Sequence, residues 1–301
     1  MNRWAMRFLT YFEDGAEGLA IVEEDGAAVG LRSGQDGYPG SLINFLTDGL
    51  ASIQTLAERL MRGYPVDIGS VEARPPIQQP GKILCVGLNY RSHAAEAGIQ
   101  PPNYPTVFAR FASGLIGNGA NMILPSDSDQ LDYEGELVAV IGKAGRRIPR
   151  ERALDHVAGY SLFNDGSIRD AQLRTSQWTL GKNYDGTGAC GPYFVTADSL
   201  PPGCKGLTLE TRLNGVRVQR AAIGDMIFDV ASLVSLLSDA FALHPGDMIV
   251  TGTPSGVGMA AVPPAYLKKG DVCEVEVNGL GILRNQVFEE APSSSELSQL
   301  R

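Results

Sequence analysis

The stretch LDYEGELVAVIG, residues 131–142, places two glutamates two positions apart at the head of an otherwise apolar run. Side chains alternate between the faces of a strand, so Glu134 and Glu136 share a face with Val138 and Val140. The run is apolar on both faces further along, which predicts a buried strand. Neighbouring carboxylates that leave water repel each other, so one must take up a proton unless a cation such as a divalent metal compensates. The alternative is an exposed strand end with two solvated glutamates, and the triplet by itself leaves both interpretations open.

A second apolar strand, GYSLFND (residues 159–165), also ends in a carboxylate, Asp165. Taken singly, an aspartate in this place is more often a turn or helix-cap residue. Together with Glu134 and Glu136 it makes three strand-end carboxylates without histidine or cysteine among them. These oxygen ligands suit Mg²⁺ or Mn²⁺, with water in the open positions, better than zinc.

The segment GLNYRSHAAEAG, residues 87–98, follows another apolar strand and reads as a short helix that ends at Gly98. This helix puts His93 and Glu96 at positions i and i+3, on one face. A carboxylate fixes the tautomer of a histidine and raises its basicity, which is what a general base acting on water requires. The alternative is an ion pair on the protein surface.

Composition narrows the class of protein. A chain of 301 residues with 44% hydrophobic and 20% charged residues can bury a substantial core. The formal net charge of −9 argues against nucleic acid as a partner, and small molecules are expected instead. No apolar stretch reaches the roughly 20 residues of a membrane span, so no membrane association is expected. The four cysteines are scattered without metal-ligand spacing, which favours reduced thiols and a cytoplasmic location.

The pattern of strands and turns predicts a β-rich α+β fold. Residues 1–75 contain three short strands followed by a helical pattern and are predicted to form a small N-terminal α+β module. Residues 76–290 carry many strands separated by Gly, Pro and Asp turns, which indicates a roll or sandwich as the main domain. A helix is predicted over residues 229–241, with Asp229 as its N-cap. Residues 291–301 are rich in Ser and polar residues and are predicted to be a disordered tail.

A series of motifs resembles the fumarylacetoacetate hydrolase superfamily, in the same order and over residues 82–284. The motifs are CVGLNYRSHAAEAG (85–98), DYEGELVAVIG (132–142), GYSLFNDGSIRDAQ (159–172), WTLGK (178–182), LNGVRVQ (213–219), HPGDMIVTGTPSGVG (244–258) and GDVCEVEVNGLGILRN (270–285). The resemblance implies a mixed β-sandwich roll, assembled as a homodimer, with Mg²⁺ or Mn²⁺ as cofactor.

The resemblance also assigns roles to individual residues. Those matching the metal ligands are Glu134, Glu136 and Asp165. His93 and Glu96 match a dyad that activates water, and Lys182 matches a lysine that stabilises oxyanion charge. The positions that match substrate contacts are Arg169, Gln172 and Thr253.

By this resemblance, the function is hydrolysis of a carbon–carbon bond in an acylpyruvate, a fumarylpyruvate- or fumarylacetoacetate-like keto acid of aromatic compound catabolism. The alternative on the same scaffold is an oxaloacetate-type decarboxylase or a 2-hydroxymuconate-type isomerase. A non-catalytic binding protein is a third hypothesis. One departure from the pattern is Arg110, which is predicted to meet either a substrate carboxylate or an internal acid.

Overall fold

The structure is a computed structural model that describes residues 6–47 and 49–291. The α-helices are α1 (Ile43–Leu46), α2 (Leu50–Leu60), α3 (Arg91–Glu96), α4 (Arg169–Gln172) and α5 (Val230–Ala240). The strands are β1 (Arg7–Glu13), β2 (Ala16–Val22), β3 (Ala28–Arg32), β4 (Tyr64–Pro65), β5 (Glu72–Ala73), β6 (Ile83–Gly87), β7 (Thr106–Ala109), β8 (Leu115–Ile116), β9 (Met122–Leu124), β10 (Leu131–Asp132), β11 (Gly135–Ile141), β12 (Val157–Asp165), β13 (Ser167–Ile168), β14 (Gly188–Thr196), β15 (Thr208–Leu213), β16 (Val216–Ala222), β17 (Met248–Val250), β18 (Val272–Val277) and β19 (Gly281–Glu289).

Two mixed sheets form the architecture. The larger sheet has the strand order β4-β3-β2-β1-β14-β12-β11-β17-β6-β7, with β5 added on β1 and β8 on β14. The smaller sheet has the order β16-β15-β18-β19-β9, and β10 and β13 form a separate pair. Parallel pairing of β17 with β6, and of β9 with β19, makes both sheets mixed. The predicted β-rich α+β fold with a sandwich-like core is confirmed.

Strand β11 lies in the interior of the larger sheet, between β12 and β17, and is buried along its whole length. Its residues Leu137 and Ala139 pack in one core with residues of the smaller sheet and of α5. Val138 and Val140 pack in a second core with α1 and α2. Both faces therefore need apolar side chains, which explains the continuous apolar run in the sequence.

The N-terminal strands are not a separate sheet. β1 pairs with β14 through Phe8 and Phe194, so β1, β2 and β3 extend the same sheet that contains β11. The boundary near residue 75 stays a prediction, because strand pairing describes contacts and not independent folding. In the predicted tail, residues 292–301 lie outside the described residues.

The clearest predicted helix is confirmed as α5. Asp229 is its N-cap, and the Asp229 carboxylate accepts a hydrogen bond from the Ser232 backbone N–H at 2.9 Å. This bond satisfies one of the N–H groups that the first helical turn leaves without a partner. Through Leu233, Val234 and Leu237, α5 packs against the core that also holds β11.

No helix in the part of the chain that the structure describes is long and apolar enough to cross a bilayer. The four cysteines are all buried and carry free thiols, as the sequence predicts. The cytoplasmic location stays a prediction.

Candidate active site

The register between β11 and β12 brings the three predicted metal-binding carboxylates together. Gly135 faces Asn164 in the antiparallel ladder, and the Asp165 N–H donates to the Glu134 carbonyl at 2.9 Å. Glu134 and Asp165 are therefore opposite one another where the two strands end. Ligand oxygens of Glu134, Glu136 and Asp165 all lie within 4.8 Å of one another, and all three residues are buried.

Gly135, between the two glutamates, lies in close contact with side chains of the smaller sheet. A Cβ added at Gly135 would lie 2.1 Å from the Thr211 hydroxyl oxygen and 3.2 Å from Val275 Cγ1. Side chains of β15 and β18 thus pack directly against the backbone between the two glutamates. A larger residue there would require the Thr211 side chain or the backbone to shift.

Three basic side chains surround the carboxylates. The Lys182 ammonium bridges Glu134 Oε2 and Asp165 Oδ2, at 2.7 Å from each. Arg110 Nη1 lies 2.5 Å from Asp165 Oδ1, and Arg169 Nη1 lies 2.7 Å from Glu134 Oε1. Of the two partners predicted for Arg110, the structure shows the internal acid. Two of the three carboxylates are thus compensated by cations from the chain itself.

Glu136 is the exception. Among the residues that the structure describes, no lysine or arginine comes within salt-bridge distance of its carboxylate. Glu136 Oε2 instead accepts the Gly252 backbone N–H at 2.5 Å. Burial, and then the nearby charges of Asp165 and Glu134, raise the pKa of Glu136 well above its ordinary value. Within residues 6–47 and 49–291, Glu136 is therefore the one carboxylate of the three without a cationic side chain beside it.

Charge compensation shifts the pKa values of Glu134 and Lys182 in the direction that favours the charged form of each. Burial alone would raise the pKa of Glu134, but the charges of Lys182 and Arg169 outweigh it and lower this pKa to about 2. For Lys182, burial acts to lower the pKa, and the charges of Asp165 and Glu134 raise it above the ordinary value overall. Glu134 is thus held ionised and Lys182 is held protonated.

The predicted dyad forms on α3. His93 Nδ1 lies 3.0 Å from Glu96 Oε2, and Glu96 Oε1 accepts the Gly256 backbone N–H at 2.8 Å. Because the carboxylate accepts the Nδ1 proton, Nε2 is the basic nitrogen of a neutral His93. The two side chains are 13% and 22% exposed, so they are neither fully buried nor free on the surface.

The residues predicted to contact substrate are buried next to the carboxylates. Arg169 and Gln172 both lie on α4, and Arg169 Nη1 donates to Gln172 Oε1 at 2.9 Å. The Thr253 hydroxyl donates to the Gly135 carbonyl at 3.0 Å, so its proton is used within the protein. Whether these three residues contact substrate stays a prediction.

A cavity of about 200 Å³ connects these groups. Seven of the nine predicted site residues line it: His93, Glu134, Glu136, Arg169, Gln172, Lys182 and Thr253. Asp165 is bonded to Lys182, and Glu96 to His93. An apolar side of the cavity includes Phe108 and Trp178, whose rings meet edge to face with centroids 5.5 Å apart.

A larger cavity of about 650 Å³ lies elsewhere, between α2 and the segment that leads into β12. Its lining includes Lys143, Asp155 and His156. In residues 6–47 and 49–291, however, the carboxylate triad is the one group of three or more side chains arranged to hold a metal. The smaller cavity, where the carboxylate triad lies, is therefore the candidate active site.

The donor set fits a hard divalent cation. Three convergent carboxylates offer only oxygen ligands, and the Lys182 ammonium already shows that the cluster attracts positive charge. The residues that can hold a metal are Glu134, Glu136 and Asp165.

Sequence reasoning assigned no role to two buried polar residues of the site, Asp132 and Gln219. Asp132 accepts Arg169 Nε at 2.8 Å and the backbone N–H groups of Gly258 and Met259 at 2.8 and 3.0 Å. Gln219 reaches the backbone of Gly135 from β16. Each stands as a polar residue inside a quoted motif, which is the one signal that pointed to it.

Comparisons with known proteins identify the family to which the chain is related. The family model described as fumarylacetoacetate (FAA) hydrolase C-terminal matches residues 82–288. The chain is 37% identical over 265 residues to the Bos taurus protein named oxaloacetate tautomerase FAHD2B, mitochondrial, covering 87% of this chain and 84% of that protein.

Solved structures of related enzymes are also similar to this chain, in sequence and in fold. A fumarylacetoacetate hydrolase from psychrophilic Exiguobacterium antarcticum is 33% identical, with a TM-score of 0.82 over 95% of this chain and 100% of that one. A probable 2-hydroxyhepta-2,4-diene-1,7-dioate isomerase from Mycobacterium abscessus is 31% identical, with a TM-score of 0.78 over 96% and 100%. The chain therefore belongs to the fumarylacetoacetate hydrolase family of enzymes.

Proposed function

We propose that this protein is a Mg²⁺- or Mn²⁺-dependent tautomerase that interconverts the keto and enol forms of an oxaloacetate-like 2-oxo acid. The observation that carries the proposal is the small cavity in which the carboxylate triad, Lys182 and the His93–Glu96 dyad converge. Relatives named as an oxaloacetate tautomerase and as a probable dienedioate isomerase support it. This is the isomerase type of chemistry that the sequence offered as the alternative to hydrolysis.

Glu134, Glu136 and Asp165 would hold the metal. When bound there, Mg²⁺ or Mn²⁺ supplies Lewis acidity toward the oxygens of a 2-oxo acid. Lys182 then places a positive charge beside the oxygen on which enolate charge develops. Arg169 and Gln172, next to each other on α4, orient the substrate carboxylate.

His93 would move the proton. Tautomerisation takes a proton from the carbon next to the carbonyl and delivers one to the carbonyl oxygen, so the enzyme needs a base that can also act as an acid. His93 Nε2 has this capacity because Glu96 holds the Nδ1 proton. Its partial exposure lets the proton exchange with solvent.

The size of the cavity favours a small substrate. Sites for drug-sized ligands have about 300–1,000 Å³, and this cavity has about 200 Å³. Phe108 and Trp178 line one side of this cavity, where they would limit how far a substrate chain extends. An acid of a few carbons fits these dimensions.

Hydrolysis of a small acylpyruvate is the second candidate, and the dyad is the observation that favours it. A histidine oriented by a carboxylate at a partly exposed cavity edge can equally deprotonate water. Attack by that water would cleave the carbon–carbon bond of a 1,3-diketo acid.

The two candidates are separated by substrate assays with Mg²⁺ or Mn²⁺. We expect the protein to accelerate loss of the enol absorbance of oxaloacetate over a blank that contains the metal alone. Pyruvate release from a short acylpyruvate should be slower, as measured by kcat/KM. No acceleration above the metal blank, combined with rapid pyruvate release, would replace the proposal with hydrolysis.

The predicted homodimer remains a proposal. Light scattering at micromolar concentration should give twice the mass of one chain, and a monomer would contradict it.

A further inference from the structure

We propose that Gln219 is a positioning residue that locks the Glu134–Gly135–Glu136 segment to loop 251–259. In relating that segment to a metal, the inference rests on the proposed function. Gln219 lies on β16 in the smaller sheet, 1% exposed, and makes no contact with the carboxylates themselves. It acts through the backbone between them.

A closed ring of hydrogen bonds makes the connection. The Gly135 N–H donates to Gln219 Oε1 at 3.0 Å, and Gln219 Nε2 donates to the Thr253 hydroxyl at 2.9 Å. The Thr253 hydroxyl then donates to the Gly135 carbonyl at 3.0 Å, which closes the ring. Gln219 Nε2 also donates to the Pro254 carbonyl at 2.9 Å. Both polar ends of the Gln219 amide are used. The ring therefore fixes the two peptide groups that join Gly135 to Glu134 and to Glu136.

Backbone N–H groups of loop 251–259 bind three carboxylates, so the position of the loop affects all three. The Gly252 N–H donates to Glu136, and the Gly256 N–H donates to Glu96. The N–H groups at the end of the loop donate to Asp132, which holds Arg169. A shift of the loop would therefore move a metal carboxylate, the dyad and the substrate-side arginine together.

The loop also packs tightly on the strand that carries Gln219. Gly256 has a φ of +102°, and a Cβ there would lie 2.1 Å from the Val218 carbonyl. This close approach sets the distance between the loop and β16, and the Gln219 amide spans that distance. Neither the loop nor the glutamates can be positioned independently of β16.

The test compares two variants that each replace a buried amide by an apolar side chain of similar shape. Gln219→Met removes the ring, and Asn285→Leu is the matched control in the same sheet. Asn285 Nδ2 donates to the carbonyls of Gly117 and Ala120, at 2.9 and 2.8 Å, and none of these three residues lines the cavity. Both variants should lower the melting temperature, because both leave buried backbone groups without partners.

Of these two variants, only Gln219→Met should weaken metal binding. Residues that orient metal ligands typically change affinity or activity by about 10–100-fold. We expect a loss of this size in Mn²⁺ affinity, measured by calorimetry without substrate, and a lower kcat. Asn285→Leu should keep both. Unchanged Mn²⁺ affinity in Gln219→Met, or an equal loss in the control, would overturn the inference.

Thr253 closes the ring and gives an independent route if Gln219→Met does not fold. Thr253→Val should lose Mn²⁺ affinity as Gln219→Met does. Thr253→Ser keeps the hydroxyl, so its Mn²⁺ affinity should be close to that of the unmodified protein. The double variant should be no worse than either single variant, because one ring is broken in each case. Additive losses would show that the two residues act separately and would overturn the inference.

The same measurements keep the inference apart from the proposed function. A chain that binds Mn²⁺ but does not tautomerise oxaloacetate would refute the function, and the affinities of the variants would still decide the role of Gln219. An unmodified chain that binds no Mn²⁺ would refute both.

Discussion

Glu136→Gln is expected to give a folded protein that has lost metal binding and catalysis. Glutamine keeps the shape of the side chain and an oxygen that accepts the Gly252 N–H, but it removes one of the three anionic ligands. Lewis-acid stabilisation is worth several kcal/mol, and each 1.4 kcal/mol is a factor of ten in rate. The rate should therefore fall by at least about 10³-fold, to the level reached by the unmodified protein after chelation.

In the absence of metal, Glu136→Gln should not lose stability, although it loses activity. Without a metal, Glu136 is a buried carboxylate with no cation beside it within the described residues, so its replacement relieves repulsion from Asp165 and Glu134. We expect an equal or higher melting temperature for Glu136→Gln in the presence of chelator. A large drop in melting temperature would mean that Glu136 is structural rather than a ligand.

Asp165→Asn provides the contrast. Asp165 is bonded to Arg110 and Lys182, and its neutralisation leaves two buried cations without this partner. Breaking a buried pair in this way typically costs about 3–5 kcal/mol, so this variant should lose stability together with activity. Asp170→Asn, next to Arg169 but directed to Ser128 and Arg174, should change neither.

His93→Ala is expected to separate reactions that need a base from one that does not. Tautomerisation, and hydrolysis if it occurs, should fall by about 10²–10⁴-fold, the usual effect of losing a general base. Decarboxylation of oxaloacetate breaks a carbon–carbon bond without first removing a proton, so it should lose far less. Mn²⁺ affinity should stay unchanged, since His93 is not among the three carboxylate ligands.

Two variants sharpen this result. Glu96→Gln keeps the imidazole but weakens its orientation, so it should show a smaller loss with the same pattern. His156→Ala is the matched control, because that histidine bonds to the Lys143 carbonyl at 2.9 Å and does not line the catalytic cavity. Equal losses of tautomerisation and decarboxylation in His93→Ala would show that the dyad does not act as the base.

Local patterns in the sequence were sufficient for several features. The alternation in residues 131–142 predicted that Glu134 and Glu136 share a face on a buried strand. The Asp229 cap predicted the start of α5, and the spacing of His93 and Glu96 predicted their contact. These features depend on the geometry of one segment, where periods of 2 and 3.6 residues fix which side chains are neighbours.

The sequence by itself therefore determined the fold class, the acidic character of the site and the dyad. Only the tertiary structure decided that Lys182 bridges Glu134 and Asp165, and that Glu136 has no cationic partner among the described residues. It also decided that Gln219, from the other sheet, holds the backbone between the glutamates. The reason is that strand register and sheet packing join segments from 17 to 84 residues apart in these contacts. Contacts between segments so far apart in the sequence depend on how the two cores pack around β11. No local period in the sequence encodes them.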